Sequence, residues 1–172
     1  TEQKGHETLV RALGILKQKS IPFFGFIAGD GELRQSMEKL AGELHLTAHD
    51  LQFLGIRQDV PFLLAASDVF ALSSHHEGLG TSLLDAVHSG CALVGTAVGG
   101  IPEIIHHEKP GLIAGVGDPE GFAAQLQRMI EEPLLQQALA RNARSFVTRE
   151  FSLENMVEGN LQIYRQLLQA GH

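Results

Sequence analysis

The segment richest in chemistry is Ser73-Ser74-His75-His76-Glu77-Gly78-Leu79-Gly80-Thr81-Ser82-Leu83-Leu84-Asp85. Gly78 and Gly80 flank Leu79, and glycines so placed let a backbone come close to a ligand. The apolar pattern that follows predicts a helix opening near Gly80, and the first N–H groups of a helix lack intrahelical partners and lie at the positive end of its dipole. An anion fits there. Glu77 precedes the turn and Asp85 lies a little over one helical turn inside, so both carboxylates can border one pocket and accept hydrogen bonds from hydroxyl groups. Spacing alone leaves a second reading open, in which Glu77 or Ser74 caps the helix and Asp85 is a solvated surface acid.

Other residues invite weaker readings. Of the nine histidines, His45 and His49 have the i, i+4 spacing that can chelate zinc. No acid or third ligand accompanies them, and Leu46-Thr47-Ala48 reads as a helix end, so neither a metal nor a cofactor is expected. His75 and His76 adjoin Glu77 and read either as ligand contacts or as solvated loop residues. His106 and His107 close a short helix, where positive charge is favourable. The lone Cys91 makes no internal disulfide, and its Gly-Cys-Ala setting suggests a small buried residue and not a nucleophile. Gly29-Asp30-Gly31-Glu32-Leu33-Arg34 lacks the third glycine of a dinucleotide fingerprint, which makes the dehydrogenase reading poor.

These residues need a scaffold, and the apolar pattern supplies one. Residues 5–18 place Leu9, Ala12, Leu13 and Leu16 on one helical face. Residues 21–28 form a continuously apolar, aromatic-rich run that stops at Gly29-Asp30-Gly31, as a buried parallel strand does, and a polar helix over 32–45 follows. The unit recurs with strands at Leu51–Gly55, 69–73 and Ala92–Thr96, each followed by a helix, from Asp59, about Gly80 and Pro102 respectively. A last strand over 112–115 precedes helices near 119–131, 133–148 and 153–169. Such alternation predicts right-handed crossovers and an α/β fold: a doubly wound, mostly parallel Rossmann-like sheet with helices on both faces. Ligands of such sheets bind at the carboxyl ends of the strands, here the loops 29–32, 55–59, 74–82 and 97–102.

Bulk properties narrow the function. The 172 residues suit a single domain, and 44% hydrophobic with 19% charged residues exclude both disorder and a membrane-spanning bundle. Nineteen glycines exceed the usual share of about 7% without a collagen-like period. The net charge of −7 provides no summed field for a nucleic acid or an anionic membrane, so any phosphate is held locally. No leader pattern or membrane-length apolar run stands out, and a cytoplasmic location is expected.

The run around Glu77 resembles the E-x7-E signature of retaining glycosyltransferases of family 4, usually S-x2-E-G-F-G followed by a helix with a second Glu. Here it reads Ser74-His75-His76-Glu77-Gly78-Leu79-Gly80, with Asp85 in place of that Glu. Lys4-Gly5, Gly29-Asp30-Gly31, Phe53-Leu54-Gly55, Ala66-Ser67-Asp68-Val69, Gly99-Gly100-Ile101-Pro102-Glu103 and Gly111-Leu112 also fall where that family has them, and Phe151-Ser152 opens a similar closing helix. The resemblance implies the nucleotide-sugar-binding half of a GT-B fold, acting in polysaccharide or glycolipid biosynthesis. It implies that Glu77 faces the transferred sugar as the catalytic residue, that Asp85 bonds the ribose, and that the backbone at Thr81 and Ser82 meets the diphosphate. Lys4 would neutralise the leaving diphosphate, with a frayed terminal lysine as its alternative reading. Ile56 and Arg57 would border the base, and Gly29, Gly31, Ser74, Gly78, Leu79 and Gly80 complete the expected donor site.

By the same resemblance the partners are a nucleotide diphosphate sugar and a saccharide or lipid-linked acceptor, with no nucleic acid and no metal. Residues 1–172 then form one domain lacking its first, central strand and an N-terminal acceptor domain, through which peripheral membrane association is left open. Alone, such a domain is expected to be inactive. The alternatives are a catalytically idle sugar-nucleotide-binding module of GT-B ancestry and an epimerase of the same architecture.

Overall fold

In the computed structural model, which describes residues 1–106 and 109–170, a 3-10 turn at Glu2–Lys4 leads into helix α1, His6–Gln18. There follow β1 (Gly25–Ala28), α2 (Arg34–Glu43), β2 (Leu51–Gly55), α3 (Val60–Ala65) and β3 (Val69–Leu72). The remainder is α4 (Thr81–Ser89), β4 (Ala92–Thr96), α5 (Ile101–Ile104), β5 (Gly111–Ala114), α6 (Pro119–Glu131), α7 (Pro133–Glu150) and α8 (Leu153–Ala170). The named strands pair in parallel. The architecture is the α/β fold the alternating pattern predicts.

Why helices cover both faces is visible in β4, whose five residues are all buried. Successive strand side chains point to opposite faces. Ala92 and Val94 therefore join a core with α1 and α6 residues such as Leu16, Phe122 and Met129. Leu93 joins a second core with Leu83, Val87, Ile101, Ile104 and Val147 from α4, α5 and α7. Cys91 is fully buried beside this second core, its thiol donating to the Leu64 carbonyl at 3.2 Å, and burial pushes its pKa up.

Three expectations shift. Residues 21–24 are not strand: Pro22 has no N–H to give a ladder, and Phe24 is 58% exposed. The helix expected over 32–45 is shorter, because Leu33 stands outside it and His45 adopts φ 59° just past its end. Helix α5 ends at Ile104, before His106, while His107 lies outside the described residues. The C-terminal α8 forms over the expected span and exposes Leu153, Met156, Ile163, Leu167 and Leu168. Among the described residues no helix is long and apolar enough to cross a membrane.

The sheet itself is divided. Strands β1 and β2 pair with each other, and β3, β4 and β5 form a separate sheet in that order. A cavity of about 1090 Å³ lined by Phe26 and Ile27 of β1 and by Val69, Phe70 and Ala71 of β3 touches both.

Candidate functional site

The site is built where β3 ends. The chain leaves β3 at Leu72, turns through residues 73–80, and enters α4 from Gly80, which holds the left-handed φ 71°, ψ 44° of a helix entry that only glycine adopts without strain. No side chain caps α4. The capping reading of Glu77 and Ser74 is thus not what the structure shows, and the first N–H groups of α4, at Thr81 and Ser82, are left to other acceptors.

Glu77 instead turns toward the N-terminal segment. Its carboxylate accepts from Lys4 Nζ at 2.7 Å and from Ser74 Oγ at 3.1 Å, and its side chain is only 13% exposed. Burial pushes its carboxyl up, but the Lys4 ammonium, the Ser74 hydroxyl and the Gly78 N–H outweigh it, and the net position is below the ordinary value. Glu77 is therefore ionised at neutral pH. Ser74 is fully buried, and its carbonyl accepts the Thr96 hydroxyl at 2.6 Å, which ties the loop to the end of β4.

A second clamp comes from the loop after β4. The Gly100 N–H donates to the Gly78 carbonyl at 2.7 Å. A Cβ at Gly99 would collide with the Glu77 carbonyl, and one at Gly100 would lie 2.6 Å from the Gly78 carbonyl oxygen and 2.9 Å from Leu79 Cα. The two glycines let this loop seat directly against the turn that carries Glu77. They stand in the quoted resemblance, yet sequence reading did not assign them to the site; a glycine pair in a loop at a strand's carboxyl end was the available signal.

The large cavity brings Lys4, Gly29, Gly31, Ile56, Arg57 and Ser82 to its walls. Glu77 joins this group through Lys4. Ser74, Gly78, Leu79, Gly80 and Thr81 shape the adjoining turn and are not among the cavity's lining residues. Asp85 lies on the exposed side of α4, with its carbonyl accepting the Ser89 hydroxyl at 2.9 Å. Ile56 is 82% exposed, and the Arg57 guanidinium is engaged by Asp59 at 2.6 and 2.8 Å, a hydrogen-bonded pair that raises the pKa of the arginine and lowers that of the acid. Gly29, at φ 128°, bridges to Gly55 and has open space on its Cβ side.

His75 and His76 divide. The His75 ring meets the Thr8 hydroxyl at 3.2 Å, whereas both backbone N–H groups donate to the Gln3 carbonyl, at 2.8 and 3.2 Å. Among the described residues no cluster of three or more His, Cys, Asp or Glu is placed to hold a metal ion. His45 and His49 do not share a helical turn, since α2 has already ended at Glu43.

The arrangement can neutralise and orient an anion beside an ionised carboxylate, with an apolar cavity at hand. Comparison with known proteins identifies the family. Residues 1–146 match the family described as glycosyl transferases group 1. The chain is 32% identical over 162 residues to the lipopolysaccharide core biosynthesis glycosyltransferase LpsE of Rhizobium meliloti, covering 94% of this chain and 46% of that protein. It is 36% identical over 142 residues to N-acetyl-alpha-D-glucosaminyl L-malate synthase of Bacillus anthracis, covering 83% of this chain and 37% of that one. The crystal structure of Anabaena Alr3699/HepE in complex with UDP and glucose superposes with a TM-score of 0.81 at 25% identity, over 98% of this chain and 46% of its own. The chain thus spans less than half the length of these relatives.

Proposed function

The chain belongs to the glycosyl transferases of group 1, and from that premise we propose that it is the donor-binding part of an enzyme that moves a sugar from a nucleoside diphosphate to a saccharide or lipid-linked acceptor, with retention of configuration. The observation that carries this reading is the Lys4–Glu77 pair set at the mouth of an uncapped helix. Breaking a sugar–phosphate bond builds negative charge on the departing diphosphate. In this reading Lys4 and the N–H groups at Thr81 and Ser82 are the donors that receive that charge. Glu77, held ionised, stabilises the positive charge that develops at the anomeric carbon and orients the sugar, while the acceptor attacks from the face the diphosphate leaves. Asp85 bonds the ribose hydroxyls, and Ile56 and Arg57 border the base once Arg57 turns from Asp59.

A UDP-bound and glucose-bound relative of the same fold supports a nucleotide sugar as the donor. The relatives named for lipopolysaccharide core biosynthesis support an acceptor in glycoconjugate assembly. The acceptor is held by a part of the protein beyond these residues, which also provides any membrane association. The diphosphate's charge is met by protein donors, and turnover is expected to survive EDTA. The proposed setting of the reaction is the cytoplasm.

The test is calorimetric titration with UDP, GDP and ADP, followed by sugar transfer in the whole protein with Glu77→Ala. Binding of one nucleotide and loss of turnover in the variant are expected. Absence of binding by all three defeats the donor assignment, and unchanged turnover in Glu77→Ala defeats the role of Glu77.

A further inference from the structure

Lys4 stands in an improbable place for a residue that must hold an ammonium still. It belongs to a three-residue 3-10 turn with no buried residue, and its own side chain is 46% exposed. A lysine is a point charge on a flexible four-carbon stem. If the backbone beneath it moved, Nζ would wander, and its 2.7 Å bond to Glu77, 73 residues away, would not persist.

What fixes that backbone is the end of β3. Ser73, only 2% exposed, directs its hydroxyl to the Gly5 carbonyl at 2.9 Å and shares it with the Lys4 carbonyl at 3.2 Å. On the other side of Lys4, the His75 and His76 N–H groups hold the Gln3 carbonyl. Lys4 is thus bracketed by bonds to residues 3 and 5 that all originate in the loop carrying Glu77. Gly5 makes the approach feasible: at φ 60° a Cβ there would collide with the Ser73 carbonyl and lie 3.0 Å from His75 Cδ2. The contact between Thr8 and the His75 ring extends the same seam into α1.

We infer that Ser73 is a positioning residue, whose hydroxyl fastens the Lys4–Gly5 backbone to the end of β3 so that the Lys4 ammonium is aimed at Glu77 and at the diphosphate of the donor. The part of this inference that concerns the diphosphate rests on the proposed function; the fastening of Lys4 does not. The Gly5 carbonyl also accepts the Leu9 N–H at 3.3 Å, so removing the serine hydroxyl leaves that carbonyl its helix bond. A residue that merely stabilised the domain would weaken it without regard to Lys4. A positioning residue acts only through Lys4.

A double-mutant cycle separates the two. Ser73→Ala, Lys4→Met and the double variant are compared by UDP affinity and by carbon-detected titration of the Glu77 carboxyl. Lys4→Met is expected to weaken UDP binding about tenfold and Ser73→Ala about three- to tenfold, and the double variant should match Lys4→Met alone, the signature of one coupled interaction. The Glu77 carboxyl should titrate at higher pH in all three, with no further movement in the double variant. Additive losses, or a Glu77 titration that Ser73→Ala leaves unmoved, would overturn the inference. If UDP binds to no form, the donor reading fails while the Glu77 titration still decides the role of Ser73. Should Ser73→Ala lose its cooperative melt, Ser73→Cys, which keeps the side chain's shape and weakens its hydrogen bond, enters the same cycle against Lys4→Met.

Discussion

Burial and bonding oppose each other at Glu77, and the bonding from Lys4, Ser74 and the Gly78 N–H prevails. Because the carboxyl sits below its ordinary value of 4.5, the group is charged throughout the neutral range and its ion pair is lost only as pH falls through that lowered position. Glu77→Gln keeps the shape and removes the charge. In the whole protein, turnover is then expected to fall about 100-fold or more, the scale of losing one electrostatic stabiliser at a reacting centre. Nucleotide affinity should change far less, a split that steady-state kinetics and calorimetry together would reveal. Asp50 offers a test remote from the site. The Lys17 ammonium and the Thr47 N–H and hydroxyl lower its pKa from 3.8 to about 2. A depressed carboxylate contributes stability that is present above the unfolded pKa and disappears as pH drops through the folded one, so denaturant stability should decline between about pH 4 and 2. Asp50→Asn should flatten that decline while lowering stability at neutral pH. The placing of Glu77 beside a glycine-hinged turn was legible in the sequence, because glycines flanking Leu79 ahead of an apolar helical pattern are a local signature. Its pairing with Lys4 was not, since local spacing says nothing about which residues 73 positions apart will touch.

Among the elements, the loop after β4 does work that its four-residue helix conceals. Gly100→Ala would press a methyl group against backbone atoms of Gly78 and Leu79, neither of which can swing aside as a flexible side chain would. The loop and the turn must separate, and a loss of about 1–3 kcal/mol in urea denaturation is expected from such overpacking. Nucleotide affinity should fall with it, because the displaced turn leads directly into the Thr81 and Ser82 N–H groups proposed to meet the diphosphate. Helix α6 provides a contrast. Asp118 caps it by accepting the Gly121 N–H at 2.9 Å, and Asp118→Ala should cost about 1 kcal/mol by the same measurement without touching nucleotide affinity. Strands β2 and β4 could be read to the residue because each is a short, largely apolar run with clear stops. The aromatic run before β1 misled because apolar character marks burial or exposure poorly when Pro22 breaks the ladder and Phe24 faces outward. The clamp by Gly99 and Gly100 was not legible for a related reason: glycine in a loop is consistent with a turn, and only the folded chain presses another backbone against it.

At the scale of the molecule, the doubly wound pattern was legible in the alternation of strands and helices, but the division of the sheet between β1 and β3 concerns pairing, which no local pattern encodes. That division has mechanical consequences. Strand β4 is hydrogen-bonded on both edges and buried at every position, and it shares cores with helices on both faces. Among the described residues strands β1 and β2 pair only with each other, β1 has no fully buried residue, and the cavity of about 1090 Å³ touches its side chains. Their hold on the rest runs through α1, whose Leu13 and Leu16 share a core with Met37 and Leu51 on one side and Phe122 and Met129 on the other. A two-stranded sheet is marginal without such packing. The β1–β2 lobe should therefore open as a unit at lower free energy than the β3–β4–β5 sheet. Native-state hydrogen exchange is expected to show amides of residues 25–28 and 51–55 exchanging about tenfold or more faster than those of 92–96, and Leu13→Ala should widen the difference by releasing β1–β2 first. Equal protection of the two sheets would mean that α1 binds them into one cooperative unit. Gly29, Gly31, Ile56 and Arg57 are carried on the β1–β2 lobe and the Glu77 turn on the other sheet, so the same measurement with UDP bound should slow the β1–β2 amides selectively if one nucleotide spans both.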